Sequence, residues 1–211
     1  MGFDYQALLL GMPAVLFSLV FHEFGHAAAA ARLGHMVRDA DERLTLDPRG
    51  HLDPLGSLLL PALGLALGGF LFGWAKPVQW VASPGGNRRR DGLIVAAAGP
   101  AMNLVLMVVF TVLLKTLATA GVGSVGALVG RMAYFGLFFN AVLIVFNLIP
   151  LPPLDGHTVL QGLLDPVRAR RLQLINPGMA LLFILLLAFS GALSYPINGL
   201  MNVALTLGGL K

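Results

Sequence analysis

His22, Glu23 and His26 lie together in the stretch HEFGH, two histidines four residues apart with a glutamate beside the first. On a helix this spacing sets both imidazoles on one face, and Glu23 sits where it can reach a metal-bound water without being a ligand. Zinc held by three protein ligands keeps a fourth position open, and the water there has a pKa near ~7. A neighbouring glutamate can take its proton, which is the chemistry of hydrolysis. The chain has no cysteine, so a third ligand must be His, Asp or Glu.

Acidic residues inside apolar stretches are scarce here, and Asp155 stands out among them. It follows 146–154, where Asn147 is the only strongly polar interruption, in a proline-broken stretch whose freed backbone groups must line a cavity. Bland readings exist for both motifs. Asp155 could simply open an Asp-Gly turn, and HEFGH could mark the point where a helix leaves a membrane. Against the second, Ala27 to Ala31 continue the apolar helix beyond the histidines. Three ionisable residues would then sit inside it, where a central charge costs about 2.5–3.5 kcal/mol.

The elements that must position these residues are membrane elements. Of 211 residues, 57% are hydrophobic and 11% charged, and the mean hydropathy is +0.81. Both values lie far from soluble composition. Runs free of Asp, Glu, Lys and Arg occupy 5–21, 54–75, 92–114, 132–154 and 172–210. A bilayer core of ~30 Å needs about 20 apolar residues per helical crossing. The net charge is +4, but the basic residues cluster in loops beside apolar runs, as membrane topology requires, so nucleic acid is not an expected partner. The first 20 residues lack a basic leader and read as half of a retained helix.

Along the chain, a first helix is expected over 6–33. A polar stretch at 34–53 follows, with a hairpin around 43–46. The run 55–72 is broken by Pro61, Gly64, Gly68 and Gly69, and an extended segment is expected at 74–82. The third run, 92–118, contains GPAMN at 99–103. A loop near 119–130 precedes the fourth run, which carries FNLIPLPPLDG at 146–156. A basic loop at 168–171 and apolar segments at 174–189 and 197–207 end the chain. The expected fold is an all-α polytopic membrane protein of one domain, 1–211. It has about five transmembrane helices, a re-entrant segment near 55–72 and a short extended or hairpin element.

HEFGH together with NLIPLPPLDG resembles the site-2 protease family of intramembrane zinc metalloproteases, in the compact form without a PDZ or CBS domain. GPAMN, DPRGHLDPLG at 47–56 and FGWAKPV at 72–78 are similar to that family too, and the likeness covers about residues 10–165. The resemblance implies one Zn2+ held by His22, His26 and Asp155, Glu23 as general base, and Asn147 as a substrate or oxyanion contact. Asn147 also has a bland reading as a hydrogen bond between helices. His157 departs from the small residue usual after the DG pair. His51, His157 and Asn103 are candidates to hydrogen-bond a ligand rather than to be one. Asn103, with Gly99 and Pro100, also suits close helix packing, and His35 reads as a solvated loop residue.

HEFGH and Asp155 can share one depth only if their helices run parallel, which requires one intervening run to enter and leave on the same side; 55–72 suits that role. The basic residues of 32–53, 74–91 and 156–173 then share one side, leaving Lys115 and Arg131 opposite. By the positive-inside rule the N-terminus is outside and the active site opens toward the cytoplasm of a prokaryotic cell membrane. The expected function is hydrolysis of transmembrane protein substrates within or near the bilayer, by a zinc-bound water activated by Glu23. A metal-ion transporter and a non-catalytic zinc-binding scaffold are the alternatives from other classes.

Overall fold

The computed structural model describes residues 5–59, 75–121 and 123–210. Helix α1 (Tyr5–Arg32) carries HEFGH in its second half and runs on through the alanines. It stops at Gly34, whose φ of 78° is open to glycine but strained for other residues. Two backbone bonds close the end, His35 N–H to Ala30 O at 3.0 Å and Gly34 N–H to Ala31 O at 2.9 Å. That pairing turns the chain sharply and swings His35 back against the protein.

Strand β1 (Met36–Val37) follows and pairs antiparallel with β2 (Trp80–Val81), in the register Met36 to Val81 and Val37 to Trp80. Of the extended segment expected at 74–82, Trp80–Val81 near its end is strand, and residue 74 lies outside the described residues. The hairpin expected around 43–46 is not. That region is the short helix α2 (Ala40–Arg43) and its exit, because the partner of β1 comes from beyond residue 75. Helix α3 (Pro48–His51) starts at Asp47, whose side chain accepts from Arg49 N–H at 3.0 Å. A π-helical turn (Pro54–Leu59) starts at Asp53, whose Oδ1 accepts from Leu55 and Gly56 N–H. The rest of the expected re-entrant segment, 60–72, lies outside the described residues.

Helix α4 (Arg88–Thr119) is the longest described and begins at Asn87, whose side chain accepts from Arg90 N–H. Helix α5 (Ser124–Asn147) starts within the expected loop and ends at Asn147, before the prolines. Asp155 does not close that run. It opens a separate helix, α6 (Asp155–Leu163), since Pro150, Pro152 and Pro153 cannot continue α5. The expected basic loop at 168–171 is helical, as α7 (Pro166–Leu172), with Asp165 accepting two N–H bonds at its start. Helices α8 (Pro177–Phe189) and α9 (Ser194–Leu207) complete the chain.

Helices α1, α4 and α5 pack together, α6 lies on α4, and α9 lies on α5 and α4. One core cluster joins Met107, Leu137, Ala141, Ile144 and Met201. A second joins Ala27, Ala30, Val37 and Val95, with Trp80 against it. On α4 the residues Leu104, Val105, Val108, Val109 and Val112 form one apolar face that stays exposed. A bare stripe of that kind on a long helix suits lipid rather than water.

Among the described residues three helices are long and apolar enough to cross a membrane, within α1, α4 and α5. A fourth exists if α7 and α8, bent by 78° from one another, count as one span. The expected number of about five is not reached among these residues, because α8 and α9 have 13 and 14 residues. At 1.5 Å per residue each covers roughly 20 Å of a ~30 Å core. The basic stretches gather at one end. His35, after α1, meets Asp91 in the first turn of α4, and Arg88, Arg89 and Arg170 line one cavity beside β2.

Candidate metal centre

His22 and His26, one turn apart on α1, are both buried, and their rings stand nearly perpendicular with centroids 4.7 Å apart. Helix α4 approaches them closely because two positions lack side chains. A Cβ on Gly25 would lie 2.7 Å from the Ala98 carbonyl oxygen. One on Gly99 would lie 2.5 Å from His26 Cε1 and 2.8 Å from His22 Cε1. The glycine of GPAMN is thus the floor of the site. Gly156 does the same for the third group. A Cβ there would fall 2.6 Å from the Ile149 carbonyl oxygen, so only a bare residue lets α6 begin beneath the end of α5.

The second nitrogen of each ring decides what the first can do. His26 Nδ1 lies 2.7 Å from the Val95 carbonyl oxygen, which only accepts, so Nδ1 carries the proton. His22 Nδ1 lies 2.5 Å from Asn103 Oδ1. The Asn103 amide nitrogen is engaged by Ser18 O at 3.3 Å and Asn140 Oδ1 at 2.8 Å, so its oxygen faces the ring and accepts. In the neutral rings both Nε2 atoms are therefore lone pairs, 3.2 Å from one another. Asp155 Oδ2 lies 3.2 Å from the first and 3.3 Å from the second, and it is buried with no hydrogen-bond donor.

With both rings neutral, as metal ligands must be, three electron-pair donors converge on one point, an arrangement a cation stabilises. A tetrahedral ion with bonds of about 2.0 Å separates its ligands by roughly 3.3 Å, which matches all three distances. Among the described residues this is the one group of three or more His, Asp or Glu that could hold a metal. The centre opens into a cavity of about 250 Å³ that Glu23, Asn147, Pro153 and Trp80 also line.

The protein named "Putative zinc metalloprotease YwhC" of Bacillus subtilis is 35% identical to this chain over 191 residues, 87% of this chain and 84% of that protein. The chain belongs to the site-2 protease family. Proteins named "Putative zinc metalloprotease Rip2" from Mycolicibacterium smegmatis and Mycobacterium tuberculosis H37Rv are 38% and 36% identical over 78% and 85% of this chain. The matched region spans 61% and 66% of their lengths. No family model and no solved structure matches the chain. Zn2+ is the cofactor of a site-2 protease, and in this one His22, His26 and Asp155 form the group that fits it.

The other expected residues of this site-2 protease divide. Asn147 faces the cavity while its amide donates to Leu143 O in its own helix, so no bond to another helix is seen for it. Asn103 hydrogen-bonds the ring of His22. His51 is fully buried, and its Nε2 lies 2.8 Å from the Thr45 carbonyl oxygen rather than at a ligand carboxylate. His157 pairs with Gln161 one turn along α6, and burial lowers its pKa below the usual imidazole value. Expected to be solvated, His35 is instead buried, stacked on Trp80 and 3.3 Å from Asp91. Residues not singled out from the sequence are Ser18 and Asn140, which support Asn103. Both are polar side chains inside charge-free runs, and that was the available signal.

Proposed function

We propose that the chain hydrolyses peptide bonds of transmembrane protein substrates within or near the bilayer. The observation that carries this reading is the close triangle of His22, His26 and Asp155, with Glu23 lining the same cavity. Zinc, when bound, supplies a Lewis acid that lowers the pKa of water and polarises a carbonyl. Glu23 accepts the proton of the attacking water and delivers it to the leaving amine. Asn147 offers an amide hydrogen toward the oxygen on which charge develops. A substrate helix must first unwind, because its peptide bonds are otherwise hidden by its own hydrogen bonds. Trp80 of β2 borders the cavity, so an unwound segment can be held beside it by backbone pairing.

The orientation belongs to the same proposal: one domain over 1–211, with the N-terminus outside and the centre open toward the cytoplasm. Its support is the gathering of arginines at the end of the bundle where α1 stops and α4 starts. A reporter fused after Arg90 is expected in the cytoplasm, and an external signal would overturn the orientation. The catalytic reading is tested by Glu23→Gln assayed on a membrane substrate in reconstituted vesicles. The variant should retain zinc while cleavage falls by at least ~100-fold; full cleavage would remove the mechanism.

A further inference from the structure

The three side chains behind His22, namely Ser18, Asn103 and Asn140, are all 0% exposed, and every direction in their network can be assigned. The Ser18 hydroxyl donates to Ala14 O at 2.7 Å, so its oxygen can only accept from Asn140. Asn140 donates one amide hydrogen to that oxygen and the other to Gly136 O, each at 2.7 Å. Its own oxygen therefore accepts from Asn103, at 2.8 Å, and the second amide hydrogen of Asn103 reaches Ser18 O at 3.3 Å. What remains of Asn103 is Oδ1, 2.5 Å from His22 Nδ1. Turning the Asn103 amide over would set its oxygen against both the Asn140 oxygen and the Ser18 carbonyl. The polarity is anchored at carbonyls that cannot donate, in α1 and α5.

We propose that Asn103, locked by Asn140 and Ser18, is a positioning residue that fixes the tautomer of His22 and so aims its Nε2 lone pair at the metal. The two imidazoles are then set by different means. His26 is held directly by backbone, and His22 by a side-chain relay through three helices. The relay ties the aim of one ligand to the packing of α1, α4 and α5, so a shift of α5 reaches the metal without touching it. This inference rests on the zinc reading of His22, His26 and Asp155. It does not depend on Glu23 or on any substrate.

The test uses the full chain in detergent micelles, with zinc affinity measured by competition with a chromophoric chelator. Histidine ¹⁵N spectra of the chain stripped of metal report the tautomer. Asn103→Leu is expected to weaken zinc binding ~10–100-fold, the usual effect of losing a partner behind a metal ligand, and to abolish the Nδ1–H signature of His22. Asn103→Asp keeps an acceptor opposite Nδ1 but sets its second oxygen against Asn140 Oδ1 and Ser18 O. It should therefore hold the signature and bind zinc more tightly than Asn103→Leu while melting lower than the wild type. A residue that merely filled space would shift thermal stability in both variants and move neither readout. Unchanged affinity and signature in folded Asn103→Leu would overturn the proposal. If that variant does not fold, Asn140→Leu decides the matter, with a smaller loss expected and no loss overturning it. His22→Ala separates the two failures. Zinc retained there sinks the metal reading itself, whereas zinc lost there but retained by Asn103→Leu sinks only the relay.

Discussion

Nε2 of His35 lies 3.3 Å from an oxygen of Asp91, and Nε2 of His26 lies 3.3 Å from an oxygen of Asp155. The two contacts have the same length and sit at the start of α4 and on the face that α1 turns to α4. They differ in what holds the far side of each ring. His35 Nδ1 accepts a hydrogen bond from Ser83 N–H at 3.2 Å, so its Nε2 bears the proton and points it at Asp91. The alignment is poor, but the attraction closes the contact. His26 Nδ1 donates to a carbonyl, so in the neutral ring its Nε2 brings a lone pair to a carboxylate that also faces His22 Nε2. One contact faces a donor toward a carboxylate; the other faces a lone pair toward one and is completed by a cation. Distance alone would not separate a structural pair from a metal centre, whereas the partner behind the ring does.

The sharpest way to break this comparison is to exchange the Asp155 carboxylate for an amide. Asp155→Asn would offer amide hydrogens to both Nε2 lone pairs. It should lose zinc, from about one ion per chain to none, and lose cleavage. Zinc retained by this variant at one ion per chain would contradict the ligand role of Asp155. Next in size is zinc removal from the wild type. Chelation should lower the thermal midpoint, since free metal at a hundred times its dissociation constant stabilises a native state by ~2.7 kcal/mol. Added zinc should restore the midpoint in the wild type but not in His22→Ala.

Gly99→Ala comes third. Its methyl would press on both imidazoles, costing about 1–3 kcal/mol in stability and weakening zinc binding. A tightly binding variant would show that α4 can retreat without consequence. Smallest at the metal is His35→Ala. Loss of the stack on Trp80 and of the Asp91 contact should cost about 1–3 kcal/mol and leave zinc stoichiometry untouched. Reduced zinc content there would merge the two regions that the comparison keeps apart.

What could be read from the residues in order follows from how locally each feature is determined. HEFGH is legible because a helix converts a four-residue spacing into one face whatever surrounds it. Asp155 is legible because a carboxylate in an apolar stretch needs a reason. The bodies of the helices at 5–32, 88–119 and 124–147 follow from the apolar runs 5–21, 92–114 and 132–154, but α5 starts earlier than its run, inside the expected loop. The fate of His35 was not legible. Its burial needs Ser83, Trp80 and Asp91, which strand pairing and the start of α4 bring from far along the chain. The expected hairpin failed for the same reason, as the partner of β1 is β2 and not its neighbour in sequence. Ser18 and Asn140 passed unnoticed because a lone hydroxyl or amide in an apolar helix has many uses. Only the crossing of three helices selects this one.

That Asp155 opens a helix of its own, far downstream of His22 and His26, bears on biosynthesis. When the two histidines have entered the membrane the growing chain offers an ion two ligands. The third arrives only after α4 is in place to receive α6, where Leu93 meets the bare Gly162. A nascent or truncated product ending before residue 155 therefore lacks the third ligand, and the metal centre cannot be completed until most of the chain has been made.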